Sequence, residues 1–99
     1  MELQALQAFV KVVQSGSYTR AADALQTQKA HLSRVVGRLE RELAVRLLER
    51  TTRSLSLTEA GREFYERAVG ILASVDDARL AMQRALARAR CSRAPARPR

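Results

Sequence analysis

The chain of 99 residues contains few of the residues from which catalytic and metal sites are built. Its single cysteine, Cys91, excludes an internal disulfide, so we expect a cytoplasmic protein. A histidine cluster for a metal or a Ser-His pair would depend on the single histidine, His31, and no Cys or Asp spacing resembles a zinc or calcium site. The four scattered glycines form no phosphate-binding loop. We therefore expect neither an enzyme nor a bound cofactor or metal.

Long apolar runs are also missing. No stretch approaches the roughly 20 apolar residues that span a bilayer, and the N-terminus shows no basic region followed by an apolar one, so we expect neither a membrane partner nor a signal peptide. Hydrophobic residues make up 46% of the chain and charged residues 28%, which is typical of a globular protein. The length leaves room for one domain.

Arginine is the residue type that stands out. It supplies 16 of the 18 basic residues, and six arginines with no acid lie in residues 84–99. Residues 27–53 hold seven basic and three acidic residues, a local charge of +4. Clustered arginine and lysine in one window indicate a nucleic-acid partner.

Apolar spacing predicts three short helices in the first 43 residues. Gly16 is suited to end the first helix in the left-handed conformation, and Ser17 to cap the second, which spans residues 18–25. After a polar break of three residues, the third helix carries a buried stripe of Leu32, Val35, Val36, Leu39 and Leu43. Two helices joined by so short a turn predict a helix-turn-helix.

The outer face of the third helix is basic. Steps of 100° per residue place Ala30, Arg34, Gly37 and Arg41 opposite the apolar stripe. Arg38 and Arg41 either pair with Glu42 or Glu49 or contact a ligand, and both alternatives stay open.

The next segment predicts a small β-wing and a long helix. Leu55 and Leu57 alternate with polar residues, Leu47-Leu48 begins the partner strand, and the tip lies near residues 51–53. Thr58 then caps a helix that runs to about Ala89, roughly 45 Å at 1.5 Å per residue. The apolar stripe of this helix continues beyond the globular part of the domain, which predicts a partner helix. The predicted dimerisation residues are Tyr65, Ala68, Leu72, Val75, Met82 and Leu86. The predicted organisation is residues 1–58, a winged domain; 59–89, a dimerisation helix; and 90–99, a disordered basic tail.

Taken together, these positions resemble one bacterial family. The run Gly16-Ser17-Tyr18-Thr19-Arg20-Ala21-Ala22, then Leu32-Ser33-Arg34, Leu39-Glu40, Val45-Arg46-Leu47-Leu48-Glu49-Arg50-Thr51 and Leu57-Thr58-Glu59-Ala60-Gly61 resembles the N-terminal DNA-binding domain of LysR-type transcriptional regulators. The resemblance implies a mainly α fold, a winged helix-turn-helix followed by a long linker helix that pairs two subunits. It further implies that the third helix enters the major groove and that the wing touches the minor groove or backbone.

The chain also departs from the pattern of this family. The resemblance implies a larger C-terminal domain that senses a small molecule, and no such domain is recognisable here. A truncated gene product, a frameshifted end and a natural stand-alone domain all stay open, and we expect no small-molecule effector for this chain. Gln28-Lys29-Ala30 stands where the family often has Ser-Gln-Pro, so the helix cap is expected at Thr27. Val35 and Gly37 replace residues that are often polar, which puts any inherited base preference in doubt.

Partners and contacts follow from both lines of reasoning. We expect double-stranded DNA and a second copy of the chain as partners. The predicted DNA-binding residues are Gln28, Lys29, Ala30, Ser33, Arg34, Gly37, Arg38, Arg50, Thr51, Thr52 and Arg53. Two competing functions are a module that forms inactive mixed dimers with full-length relatives, and a non-specific nucleic-acid binder that acts through residues 84–99.

Overall fold

The structure, a computed structural model, describes residues 1–50 and 55–92, with the main chain alone for residues 50, 91 and 92. In this part of the chain the order of elements is three helices, a two-stranded sheet and a long helix. They are α1 (Leu3–Ser15), α2 (Tyr18–Leu25), α3 (Lys29–Leu43), β1 (Leu48–Arg50), β2 (Leu55–Leu57) and α4 (Glu59–Ser92). The predicted mainly α fold with a small wing is confirmed.

The turn between α1 and α2 forms as predicted. Gly16 has a φ of 71°, and its N–H donates to the carbonyls of Val12 and Val13 at 2.9 and 3.3 Å. The Ser17 hydroxyl accepts the N–H of Thr19 at 3.1 Å, which satisfies a donor that the helix itself leaves unpaired. This turn sets the angle at which α2 leaves α1.

The turn between α2 and α3 differs from the prediction. Gln26 adopts the left-handed conformation with a φ of 57°, and the Thr27 N–H donates back to the Ala22 carbonyl at 2.9 Å. The main chain of Thr27 therefore completes α2. Gln28 occupies the N-cap position of α3 without a side-chain hydrogen bond, so the expected Thr27 cap is wrong.

The core lies where α1, α2, α3 and the wing meet. Phe9 is fully buried at its centre, with ring centroids 5.6 Å from Phe64 and 6.4 Å from Tyr65. The largest fully buried side chains are Phe9, Val12, Leu32, Val36, Leu39 and Leu47. Because three of these lie on one side of α3, that helix is held to the body by its apolar face and its opposite face is left outward.

The wing is a two-stranded antiparallel sheet. Leu48 pairs with Leu57 and Arg50 with Leu55. The Glu40 carboxylate on α3 accepts the N–H groups of Leu47 and Leu48 at 2.8 and 3.1 Å. Glu40 thereby fixes the wing relative to α3. The predicted wing tip lies outside the described residues.

The junction between the wing and α4 is tight. The predicted cap residue, Thr58, donates its hydroxyl to the Arg46 carbonyl at 2.6 Å and accepts the Gly61 N–H at 2.9 Å. Gly61 is buried, and a Cβ at that position would collide with the carbonyl group of Leu47. A glycine is therefore required for α4 to start against the wing.

Helix α4 extends beyond the body of the molecule. It ends at Ser92, three residues past the predicted end at Ala89, so the first three residues of the predicted disordered tail are helical and the rest lie outside the described residues. The molecule measures 62 Å along its longest axis. None of the helices in the described ranges has an apolar stretch long enough to cross a membrane.

The first half of the α4 stripe packs within the molecule. Ala68 is fully buried against Leu6 and Val10 of α1, with Tyr65 and Leu72 partly buried beside it. The prediction that Ala68 contacts a partner helix is therefore wrong, because α1 already covers it. Met82 and Leu86, further along, are 66% and 53% exposed.

Candidate nucleic-acid interface

The outward face of α3 presents most of the residues predicted to bind DNA. Gln28, Lys29, Ala30, Arg34 and Arg38 are exposed, and Ser33 and Gly37 are half-buried. The face spans the whole of α3, about 22 Å at 1.5 Å per residue. It therefore forms one continuous surface that begins at the N-terminal end of the helix.

The first turn of α3 adds to its positive character. Gln28 makes no cap hydrogen bond with its side chain, so its amide does not compete for the first N–H groups of the helix. Those N–H groups carry the partial positive charge of the helix dipole, and Lys29 is placed beside them. An anion at this end would meet both charges.

The acidic residues of α3 point their carboxylates away from the arginines. Glu40 accepts two N–H groups of the wing, as described above. Glu42 lies 3.6 Å from the N-terminal ammonium of Met1. Both carboxylates are thus occupied by groups outside α3.

The arginines of α3 are left without acidic partners. Within residues 1–50 and 55–92, Arg34, Arg38 and Arg41 take part in no ion pair, and all three are exposed. The alternative in which Arg38 and Arg41 pair with Glu42 or Glu49 is therefore wrong for this part of the chain. The sequence prediction did not include Arg41 among the DNA-binding residues. Whether Arg41 is paired depends on the direction in which the neighbouring carboxylates point, and residue spacing does not show that direction.

Gly37 and Arg41 form the least expected feature of this face. A Cβ at Gly37 would lie 3.7 Å from an Arg41 guanidinium nitrogen, an ordinary van der Waals distance. The Arg41 side chain therefore extends back along the helix to the bare main chain of Gly37. Glycine inside a helix costs about 1 kcal/mol relative to alanine, and no contact with the described residues requires it here.

Four predicted site residues fall at the wing. The side chain of Arg50, and Thr51, Thr52 and Arg53 as a whole, lie outside the described residues. The described main chain brings Arg50 to the end of β1, opposite Leu55. Their predicted contacts with DNA stay predictions.

The described ranges hold no cluster of metal-ligating side chains. They contain no group of three or more His, Cys, Asp or Glu side chains that could hold a metal ion. His31, the only histidine of the chain, is exposed in the first turn of α3.

Three helices with a basic third helix, a two-stranded wing and a following long helix define the class of winged helix-turn-helix DNA-binding domains. Residues 3–62 match the model of the bacterial regulatory helix-turn-helix proteins of the lysR family. The chain belongs to this family and is a LysR-type DNA-binding domain.

Curated relatives are regulators of transcription. The chain is 50% identical over 76 residues to an HTH-type transcriptional repressor of Pseudomonas aeruginosa, which covers 77% of this chain and 24% of the repressor. It is 54% identical over 67 residues to the HTH-type transcriptional regulator CrgA of Neisseria meningitidis, which covers 68% of this chain and 22% of CrgA. The chain thus spans about a quarter of the length of these relatives.

A solved structure shows the same architecture with DNA bound. The DNA-binding domain of BenM, in its complex with catB site 1 DNA, superposes with a TM-score of 0.81 at 41% identity. The match covers 88% of this chain and 97% of that domain. The similarity therefore extends over nearly the whole of that DNA-binding domain.

Proposed function

We propose that the chain binds a specific sequence of double-stranded DNA as a homodimer, with α3 in the major groove and the wing on the minor groove or backbone. The observation that carries this proposal is the outward face of α3, on which three exposed arginines have no acidic partner among the described residues. The BenM domain, which is similar over most of this chain, was solved in complex with DNA. Since the relatives are bacterial, the DNA target implies a cytoplasmic protein.

Each part of the face has its own role. Arg34 lies at the middle of the outer face, where a guanidinium suits guanine or a phosphate. Lys29 and Gln28 stand at the N-terminal end, where Gln28 can pair with adenine. Ser33 and Arg38 flank the face on its two sides, and the wing adds the predicted contacts of Arg50, Thr51, Thr52 and Arg53.

The partner of the dimer is a second α4. Val75 is half-buried and Met82 and Leu86 are exposed, and these three continue the stripe beyond the point where α1 covers it. An exposed apolar stripe of this length on a single helix is buried when a second helix packs on it. Leu72, partly buried at the edge of α1, forms the transition between the two halves.

The charge distribution along α4 favours an antiparallel pair. Residues 59–77 hold five acids and two arginines, a charge of −3, and residues 78–92 hold four arginines and no acid, a charge of +4. A parallel pair places the two basic segments, residues 78–92, against each other. An antiparallel pair places each basic segment against the acidic segment of the partner, residues 59–77. We therefore expect the two DNA-binding heads at opposite ends of the helix pair, facing half-sites one or more helical turns apart.

The decisive experiment is selection of bound duplexes from random DNA, followed by affinity measurements on the selected duplex. Arg34→Ala should weaken binding by about 1–3 kcal/mol if Arg34 reads a base. Arg67→Ala is the matched control: Arg67 is also an exposed arginine, but it lies on α4 and pairs with Glu63 at 3.1 Å. It should leave the affinity unchanged.

The ionic strength of the assay separates specific from non-specific binding. Affinity should fall steeply with salt because each neutralised phosphate releases counterions. If no duplex is enriched at low salt, the proposed sequence-specific binding is wrong. If Arg34→Ala and Arg67→Ala weaken binding equally, α3 is not the recognition helix.

A further inference from the structure

Gly37 is a glycine without an internal structural reason. It lies within α3 and has no positive φ, unlike Gly16. Its position has room for a methyl group, unlike that of Gly61, where a Cβ would collide with the wing. The absence of a side chain at Gly37 therefore leaves a small gap on the surface of α3 and serves no contact inside the described molecule.

The surroundings of this gap define what it can accept. Arg34 lies one turn before Gly37 on the same face and Arg41 one turn after it, with an Arg41 guanidinium nitrogen at the edge of the gap. The floor of the gap is the Cα of Gly37, a CH2 group, and the N–H groups of the surrounding main chain are engaged in the helix. A gap of one methyl group with an apolar floor and two flanking cations selects an apolar group carried on a polyanion.

Only one group of duplex DNA fits this description. In the major groove the base edges present donors, acceptors and one apolar group, the C5-methyl of thymine. We propose that the gap at Gly37 receives a thymine methyl group, with Arg41 held beside it as a phosphate contact, so that Gly37 is a specificity-determining residue. This inference rests on the proposed function, because it requires α3 to lie in the major groove.

The test begins with the duplex that the wild-type chain selects from random-sequence DNA. Each thymine of that duplex is replaced in turn by deoxyuridine, which lacks the C5-methyl group and keeps base pairing. One thymine in each half-site should respond with a loss of about fourfold in affinity, the effect of removing one buried methyl group.

The variant Gly37→Ala places a methyl group on the protein. On the thymine duplex it should lose roughly tenfold in affinity, because two methyl groups then compete for one space. On the duplex with deoxyuridine at the responsive position it should recover to within about threefold of the wild-type affinity, a coupling that only contacting groups show. Arg41→Ala should instead weaken binding to both duplexes alike and lower the salt slope by about one.

The matched control is Gly70→Ala. Gly70 is also exposed within a helix, has open space around it, and lies on the side of α4 opposite the dimerisation stripe. Both glycine variants should melt at higher temperature than the wild type, because alanine favours the helix. Gly70→Ala should bind both duplexes as the wild type does, which shows that the loss in Gly37→Ala is not a folding defect.

Two results overturn the inference. The first is that replacing any thymine by deoxyuridine leaves the affinity of the wild-type chain unchanged. The second is that the ratio of the affinities for the thymine and deoxyuridine duplexes is the same for Gly37→Ala as for the wild type. A wild-type chain that selects no duplex at all contradicts the proposed function instead, and is recognised before any glycine variant is made.

Discussion

The two halves of α4 carry one apolar pattern and have different surroundings. In the half nearer the wing, Gly61 and Ala68 are buried, and α1 packs along the stripe. In the half beyond residue 72, Met82 and Leu86 are 66% and 53% exposed. No side chain described between residues 73 and 90 is buried. The difference teaches that one helix face serves as core in its first half and as a free surface in its second.

This division has a consequence for mutations. Changes in the first half should act on the stability of the head, that is, residues 1–72, whereas changes in the second half should act on association. The comparison fails if a substitution on one half produces the effect expected of the other.

The largest effect is expected at Gly61. Gly61→Ala should destabilise the head by about 3 kcal/mol, because the new Cβ meets the carbonyl group of Leu47, a main-chain group that cannot move without shifting the wing. Thermal and urea unfolding followed by circular dichroism measure this loss. Gly70→Ala, the same substitution in open space on the same helix, should not destabilise.

Equal melting temperatures for the Gly61 and Gly70 variants would contradict the close approach between α4 and the wing. In that case the buried side of this half of α4, which carries Gly61, would be no more constrained than its exposed side, which carries Gly70.

An intermediate effect is expected at Met82. Met82→Asp should weaken dimerisation by about 2 kcal/mol, because it places an unpaired carboxylate in an apolar helix pair. Sedimentation equilibrium measures the change, and unfolding of the head should stay as in the wild type when compared at concentrations where both are monomeric.

Leu80→Asp provides the control for Met82. Leu80 is 47% exposed on the same half of α4, but it lies on a different side of the helix from the stripe. If the two variants weaken the dimer equally, the stripe does not define the interface.

Local signals account for the parts of the fold that were predicted correctly. Gly16, Ser17 and Thr58 act on main-chain groups within four residues of themselves or on a neighbouring turn, and all three take the predicted roles. The Thr27 cap was wrong because the main chain of Thr27 is used to complete α2. The need for Gly61 depends on Leu47, fourteen positions earlier, and such a contact leaves no local pattern.

The candidate site shows the same division. The 100° spacing placed Arg34 on the outer face correctly, because the buried stripe of α3 dictates its orientation. The possible pairing of Arg38 and Arg41 was wrong because Glu42 lies beside the N-terminal ammonium of Met1 and Glu49 takes part in no ion pair among the described residues. The role of Ala68 was wrong because a 3-4 repeat shows that a face is apolar without showing which helix covers it.

The smallest effect is expected at Ala44, at the end of α3 and within the head. Ala44 has φ 60° and ψ 31°, and its N–H donates to the Arg41 carbonyl at 3.3 Å, so the chain leaves α3 through a left-handed residue that is not glycine. The left-handed conformation costs about 1–2 kcal/mol for a residue with a Cβ, and glycine avoids this at an entropic cost of roughly 0.5–1 kcal/mol in the unfolded chain. Ala44→Gly should therefore stabilise the head by about 0.5–1 kcal/mol.

Urea unfolding of Ala44→Gly beside Ala24→Gly measures both the sign and the size of this effect. Ala24 is an exposed alanine inside α2 with helical geometry, so the same substitution there should destabilise by about 1 kcal/mol. Opposite signs at the two positions would establish that Ala44 is left-handed in solution, and a loss at both would show that α3 ends differently. Because Ala44 belongs to the head, neither change should alter the dissociation constant of the dimer, and a shift in that constant would mean that the two regions are coupled.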